Sequence, residues 1–156
     1  MSSKKEGITA VLVEDDLISS IVFRSQLQAH GVGRVLSAQC LDEAISCVNN
    51  LIPEADESLE YHSLQNVPFV LDGQIPEFLR GCVDREFGIR FMRWIVHALG
   101  VRVDQIICTS GDATARAVAQ EMGILCIEKG TEHSVRSFGA ACDAMIANMR
   151  KTESIA

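Results

Sequence analysis

The sequence of 156 residues lacks any long hydrophobic run. No apolar segment approaches the eighteen or so residues of a membrane-spanning helix, and residues 1–6 contain no apolar signal core. Membrane insertion is therefore not expected, and we expect a cytoplasmic location. The length and the 47% apolar composition are those of one globular domain with an ample core.

Positive charge is also scarce. The chain has 14 Lys and Arg residues against 21 Asp and Glu residues, which gives a formal net charge of −7 at pH 7. Proteins that hold duplex DNA through its phosphates need clustered Lys and Arg side chains. Direct DNA binding is therefore not expected.

The six cysteines lack the spacing of a zinc site, because no CxxC or Cys/His ligand pattern occurs. Cys108 and Cys126 fall inside predicted strands, which is typical of free thiols that pack as small apolar residues. A framework of disulfides would also be unusual in a cytosolic chain. We therefore expect free cysteines and no thiol-bound metal.

Short apolar segments alternate with helical patterns along the chain. Such alternation is typical of βαβ units, with a parallel sheet covered by helices on both faces. The sequence therefore predicts a doubly wound, five-stranded α/β domain over residues 8–149, with tails at 1–7 and 150–156. Strands are predicted at 8–13, 34–38, 67–71, 105–108 and 124–127. Helices are predicted at about 17–29, 41–51, 85–99, 112–121 and 132–149.

Two predicted connections are long for a compact domain. The segment 52–66 is rich in Asp and Glu, which indicates a solvated acidic loop or, as a less favoured alternative, an element that docks a partner. The segment 77–84 is more apolar than an ordinary loop. It could act as a lid or add packing to the core.

Polar residues follow the apolar runs at separate places in the chain. Glu14 and Asp15 follow the first strand, Asp72 follows the third, Thr109 lies at the end of the fourth, and Lys129 follows the fifth. The carboxyl ends of neighbouring parallel strands converge on one crevice. The sequence therefore predicts a crevice that can bind a divalent cation and a phosphoryl group.

Each of these residues also has a simpler interpretation when it is taken alone. Glu14 and Asp15 could cap the first helix. Asp72 before a glycine could be a turn residue, Thr109 could lead into a helix, and Lys129 could be a surface charge. The specific hypothesis depends on the whole set occurring in this order.

The whole set resembles the receiver domain of two-component response regulators. The resemblance covers residues from about 8 to 149 and implies a flavodoxin-like sheet of order 2-1-3-4-5. It rests on the Glu14-Asp15 pair, the spacing of Ala38, Glu43 and Ala44, Asp72 followed by Pro76, and Thr109 and Lys129 at later strand ends.

The resemblance implies that Asp72 is a phosphoacceptor within a phosphorelay. A histidine kinase or a histidine phosphotransfer protein would donate the phosphoryl group from phosphohistidine and form an aspartyl phosphate. Asp15, Asp72 and the backbone carbonyl of Gln74 would bind Mg²⁺, and Glu14 would hold a water in its shell. Such a protein would be a signalling domain rather than an enzyme with an external substrate.

The resemblance also implies a switch. Lys129 would pair with Asp72 and then with phosphoryl oxygens, and Thr109 would bind a phosphoryl oxygen and move. Cys126 occupies the partner position in the switch, where receivers usually have an aromatic residue, and Gly130 stands where they prefer proline. The output would be binding to a downstream protein, and homodimerisation remains an option.

Two alternatives remain beside the phosphorylated receiver. The chain could be a degenerate receiver that docks a partner without phosphorylation. It could, less favourably, be a phosphohydrolase of the haloacid-dehalogenase type, but such enzymes need a second aspartate where this chain has Gln74. Because residues 150–156 are too few for an output domain, we expect a receiver of the stand-alone, single-domain type.

Overall fold

A computed structural model describes residues 7–52, 64–129 and 132–155. Most of the predicted acidic loop at 52–66 and Gly130 lie outside the described residues. The elements are β1 (Ile8–Val13), α1 (Leu17–Ala29), β2 (Val32–Ala38), α2 (Leu41–Leu51), β3 (Phe69–Asp72), β4 (Ile75–Pro76), β5 (Val83–Asp84), α3 (Arg85–Arg93), a π-helical turn (Trp94–Ala98), a 3-10 turn (Val103–Gln105), β6 (Ile106–Ser110), α4 (Ala113–Glu121), β7 (Leu125–Glu128) and α5 (Glu132–Ile155).

Five strands form one parallel sheet in the order β2-β1-β3-β6-β7. Counted among these five strands alone, this is the predicted order 2-1-3-4-5, so the predicted fold class is confirmed. Strands that are neighbours in the sheet pair in register, for example Val13 of β1 with Leu71 of β3, and Asp72 of β3 with Thr109 of β6. This register brings the carboxyl ends of β1, β3 and β6 to one edge of the sheet.

The sheet is buried on both faces. Alternate residues of β1 enter two different clusters: Val11 and Val13 pack with residues of α2 and α3, whereas Leu12 packs with residues of α1 and α5. On the second face the rings of Phe23 and Phe138 lie 4.6 Å apart. Burial on both faces explains why the strands read as continuous apolar runs rather than as alternating ones.

Several predicted boundaries were wrong by one or two residues, and Gln105 shows why. It was predicted to begin a strand, but it ends the 3-10 turn and its buried amide donates to the carbonyls of Leu64 and Val67, at 2.7 and 3.0 Å. These two hydrogen bonds hold the segment that leads into β3. The third sheet strand therefore begins at Phe69, and the fourth begins at Ile106.

Part of the apolar surface of α1 is exposed. Leu17, Ile18 and Ile21 are 64%, 73% and 57% exposed, whereas Phe23 and Leu27 are buried. The helix carries apolar residues on two sides, and only one side meets the core. In the parts of the chain that are described, no helix combines the length and apolar character needed to cross a membrane.

The apolar side chains of the segment 77–84 do not add packing to the core. Phe78 and Leu79 are 56% and 54% exposed. The segment instead returns to pair β5 with β4 in a small antiparallel ribbon, with Ile75 opposite Asp84. At the other end of the chain, the last helix continues to Ile155 rather than ending near residue 149.

Candidate functional site

The polar residues predicted to share a crevice do meet at one edge of the sheet. Glu14 directly follows β1, Asp72 is the last residue of β3, and Lys129 directly follows β7. The Lys129 Nζ lies 2.5 Å from Glu14 Oε1 and 2.8 Å from Asp72 Oδ2. One ammonium group therefore joins two carboxylates that are 58 residues apart in the chain (72 − 14).

Helix capping does not account for the two acids after β1. The N-cap of α1 is Asp16, whose Oδ2 accepts the N–H of Ser19 at 2.9 Å. Glu14 instead turns inward and is almost fully buried, and Asp15 is half-buried. Since Asp16 caps the helix, the side chains of Glu14 and Asp15 are available to the crevice.

Three carboxylates form a group suited to a cation. Glu14, Asp15 and Asp72 each offer an oxygen, and these oxygens all lie within 4.8 Å of one another. Oxygen donors of this kind are those that Mg²⁺ prefers. In the described part of the chain, Glu14 Oε2 is also a buried oxygen without a hydrogen-bond partner. The donor set and the unpaired oxygen therefore fit a bound divalent cation.

The crowded carboxylates ionise less readily than ordinary ones. Burial, and then repulsion from Asp72, raise the pKa of Glu14 to about 8. Burial also raises the pKa of Asp72 to about 6, although Lys129 opposes this shift. Burial alone would lower the pKa of Lys129, but the two carboxylates outweigh it and raise that pKa. The site thus has a deficit of positive charge that a cation would relieve.

The Asp72 carboxylate is held in one orientation. Its Oδ1 accepts the backbone N–H of Gln74 at 3.0 Å, while Oδ2 accepts from Lys129. Gln74 itself is half-buried. Two donors on different oxygens therefore fix the orientation of this carboxylate at the crevice.

Thr109 lies beside Asp72 in the sheet and has an unused hydroxyl group. The two residues are in register, and Thr109 is completely buried. Among the residues the structure describes, its Oγ1 has no hydrogen-bond partner. Buried hydroxyl groups usually have one. The unpaired hydroxyl is therefore available to an oxygen-rich group bound at Asp72.

Close backbone packing supports the Asp72 loop, and the sequence patterns did not reveal it. A Cβ at Gly88 of α3 would lie 2.4 Å from the carbonyl oxygen of Gly73, and a Cβ at Gly73 would lie 2.6 Å from Cβ of Ala115. Both distances are far below van der Waals contact. Glycine at 73 and 88 therefore lets α3 and α4 pack directly against the loop that follows Asp72.

Cys126, the predicted switch residue, lies in β7 opposite Cys108 of β6. It is half-buried, and its thiol contacts the carbonyl of Arg116 at 3.5 Å. The Arg116 Nη1 in turn donates to the carbonyl of Ser110 at 2.9 Å. Arg116 was not identified from the sequence, because nothing in its local pattern indicates this contact.

Comparison with known proteins gave structural matches only. No family model matches the chain, and no curated protein matches it significantly. The sheet order and the matches to solved structures agree with each other. The chain has the fold of a response-regulator receiver domain. Identities of 16% or less in these matches establish the receiver fold and nothing beyond it.

Three solved structures represent these matches. A receiver domain from Rhodospirillum rubrum is 16% identical, with a TM-score of 0.58 over 90% of this chain and 93% of that one. The signal receiver domain of a modulated diguanylate cyclase from Desulfovibrio desulfuricans is 16% identical, with a TM-score of 0.59 and coverages of 92% and 97%. A receiver domain protein from Methanospirillum hungatei is 13% identical, with a TM-score of 0.59 and coverages of 93% and 98%.

Proposed function

We propose that this chain is a phosphorylatable signalling receiver that accepts a phosphoryl group on Asp72. The observation that carries the proposal is the shared contact of Lys129 with Glu14 and Asp72. This arrangement gives the crevice a fixed nucleophile, a cation that can neutralise phosphoryl charge, and acids that can bind a metal. Phosphoryl transfer depends mainly on such positioning and charge neutralisation.

The proposed reaction is transfer from a phosphohistidine of a kinase or phosphotransfer protein. An oxygen of Asp72 attacks phosphorus as the bond from phosphorus to the imidazole nitrogen breaks, and imidazole leaves. Lys129 exchanges part of its contact with Asp72 for contact with phosphoryl oxygens. Mg²⁺, held by Asp15, Asp72 and the backbone carbonyl of Gln74, with Glu14 near its water shell, would supply further neutralising charge.

Thr109 is proposed to convert the added group into a structural change. Its unpaired Oγ1 would donate to a phosphoryl oxygen, which adds a hydrogen bond that the unmodified site lacks. This hydrogen bond would draw Thr109 towards the phosphoryl group. The movement would displace the end of β6, and with it the Ser110 carbonyl that accepts from Arg116. The output would be a changed surface for a downstream protein or for a second copy of this chain.

An exposed apolar surface beside the site supports a protein partner. Leu17, Ile18 and Ile21 of α1 are exposed, and Leu79 faces the same cleft of about 400 Å³ as Leu17 and Ile21. Because α1 begins directly after Asp16, this surface adjoins the carboxylates. A phosphodonor protein that covers it would bring its histidine towards Asp72. The same surface also supports the alternative of a phosphorylation-independent docking module.

The decisive experiment is intact-mass measurement after incubation with Mg²⁺ and acetyl phosphate or phosphoramidate. One added phosphoryl group on the wild type, and none on Asp72→Asn, is expected. Asp104→Asn changes an exposed acid in the 3-10 turn before β6, at the opposite end of that strand from Thr109. It serves as the matched control and should react like the wild type. If Asp72→Asn gains a phosphoryl group to the same extent as the wild type, the assignment of Asp72 is refuted. If the wild type gains none, the docking-module alternative is favoured.

The phosphohydrolase alternative has a separate test. Gln74 cannot replace a general acid, so steady hydrolysis of p-nitrophenyl phosphate is not expected. Sustained turnover that Asp72→Asn abolishes would instead make the protein an enzyme.

A further inference from the structure

Two thiols lie side by side on neighbouring strands of the sheet, next to Thr109. Cys108 of β6 is in register with Cys126 of β7. Neighbouring strands are about 4.8 Å apart, which lies within the Cα separation of about 4.4–6.8 Å that a disulfide spans. Residues in register on parallel strands present their side chains on the same face. Cys108 belongs to the buried cluster on one face of the sheet, and Cys126 packs against that same cluster.

The two thiols differ in access and in acidity. Cys108 is completely buried, whereas Cys126 is half-buried. Interaction with the neighbouring Cys108 thiol lowers the pKa of Cys126 against the opposing effect of burial, and the positive charge of Arg116 lowers it further. Interaction with the Cys126 thiol, and then burial, raise the pKa of Cys108. Cys126 is therefore the more nucleophilic of the two.

We propose that Cys126 and Cys108 form an oxidation site for hydroperoxides, in which Cys126 reacts first and Cys108 resolves the product. The Cys126 sulfur attacks the peroxide, so that a sulfur–oxygen bond forms, the oxygen–oxygen bond breaks, and the thiol proton leaves with the released water or alcohol. The product is a sulfenic acid.

Cys108 then completes the oxidation. Its sulfur attacks that of Cys126, the sulfur–sulfur bond forms, the sulfur–oxygen bond breaks, and the oxygen leaves as water with the Cys108 proton. The hydroperoxide gains two electrons, and the two thiols lose two hydrogen atoms. Exchange with an external dithiol reverses the modification.

The disulfide would connect the two strands next to the switch. Cys108 directly precedes Thr109, and Cys126 contacts the carbonyl of Arg116, whose guanidinium holds Ser110. A covalent link at this point would restrain the shift of Thr109 and uncouple Cys126 from α4. This consequence, unlike the oxidation itself, rests on the proposed phosphorylation of Asp72.

The first test is peptide mass spectrometry of the full chain under non-reducing conditions, after treatment with hydrogen peroxide. A peptide pair linked through Cys108 and Cys126 is expected in the wild type and in Cys82→Ser, which removes an exposed thiol outside the pair. Cys108→Ser should instead accumulate a sulfenic acid on Cys126 that dimedone captures. Oxidation of Cys82 before Cys126, or a persistent sulfenic acid on Cys126 in the wild type, would overturn the proposal.

The second test measures phosphorylation of the oxidised and reduced protein by acetyl phosphate. Oxidation should slow formation of the adduct several-fold in the wild type and have no effect in Cys126→Ser. Equal rates would refute the coupling. If the disulfide forms but the reduced protein takes no phosphoryl group, the oxidation site stands and the proposed function fails. If the phosphoryl group forms without any disulfide, the reverse holds.

Discussion

Replacing Glu14 by Gln is expected to stabilise the metal-free protein near neutral pH and to flatten the pH dependence of its stability. The carboxyl of Glu14 is buried, and burial with repulsion from Asp72 raises its pKa to about 8. Its ordinary pKa of 4.5 returns when the chain unfolds. Between these two values the folded protein binds more protons than the unfolded chain, so its stability falls as pH rises.

The magnitude follows from the pKa difference. One unit corresponds to about 1.4 kcal/mol, so this carboxyl alone should lower the free energy of unfolding by about 3 kcal/mol between about pH 5 and about pH 7.5. Asp72, with a pKa raised to about 6, should add a smaller loss in both proteins. Glu14→Gln keeps a polar side chain of the same shape but cannot ionise. The variant should therefore lose much less stability over this range.

The assay is urea unfolding in the presence of a chelator at several pH values. Glu121→Gln, at an exposed position on α4, is the control and should follow the wild type. Adding Mg²⁺ should then stabilise the wild type more at the upper end of the pH range, because protons compete with the cation for the carboxylates. Equal pH slopes for wild type and Glu14→Gln would refute the argument that burial makes ionisation of Glu14 costly in the folded protein.

Three other substitutions test the supports of the site by urea unfolding. Lys129→Met should cost about 3 kcal/mol at neutral pH without metal, because it leaves the buried, ionised carboxylate of Asp72 without its counter-charge. Gly88→Ala should cost about 1–3 kcal/mol and slow phosphorylation, because its Cβ would press on the carbonyl of Gly73. Gln105→Leu should cost about 2 kcal/mol or more, because two main-chain carbonyls lose their buried donor.

The controls for these variants come from the same chain. Gly139→Ala in α5 places its Cβ near only the flexible ends of two side chains, so it should be neutral or stabilising. A similar loss for Gly88→Ala and Gly139→Ala would show that close packing at residue 88 is unimportant. Lys129→Met as stable as the wild type would show that the carboxylates are already neutral without the lysine. A neutral Gln105→Leu would mean that water replaces the lost donor.

The five-stranded parallel sheet could be predicted from local patterns, whereas its strand order followed from the resemblance to receiver domains. Short apolar runs separated by helical periodicity leave few arrangements once right-handed crossovers are required. The gathering of Glu14, Asp72 and Lys129 followed from the same reasoning, because parallel strands end at the same edge. The roles of these residues in phosphoryl transfer stay predictions, since the fold alone does not establish chemistry.

Features that depend on packing between distant segments were missed. The helix beginning at Leu17 has apolar residues on two sides, and periodicity cannot tell which side meets the core. The ribbon formed by β4 and β5 is too short to leave a strand pattern. The need for glycine at 88 arises only because α3 approaches the loop after Asp72, and this approach is a property of the folded chain.

The pairing of Cys108 with Cys126 shows the same limit most sharply. Both residues were predicted to lie in strands, but their facing each other depends on strand register. A shift of one residue would move Cys126 to the opposite face of the sheet, so the contact requires the observed pairing of Thr109 with Ile127. The partner of Cys126 directly precedes Thr109, the residue that is proposed to act as the switch. An oxidation that joins the two strands would act on the same β6 end that phosphorylation is proposed to move.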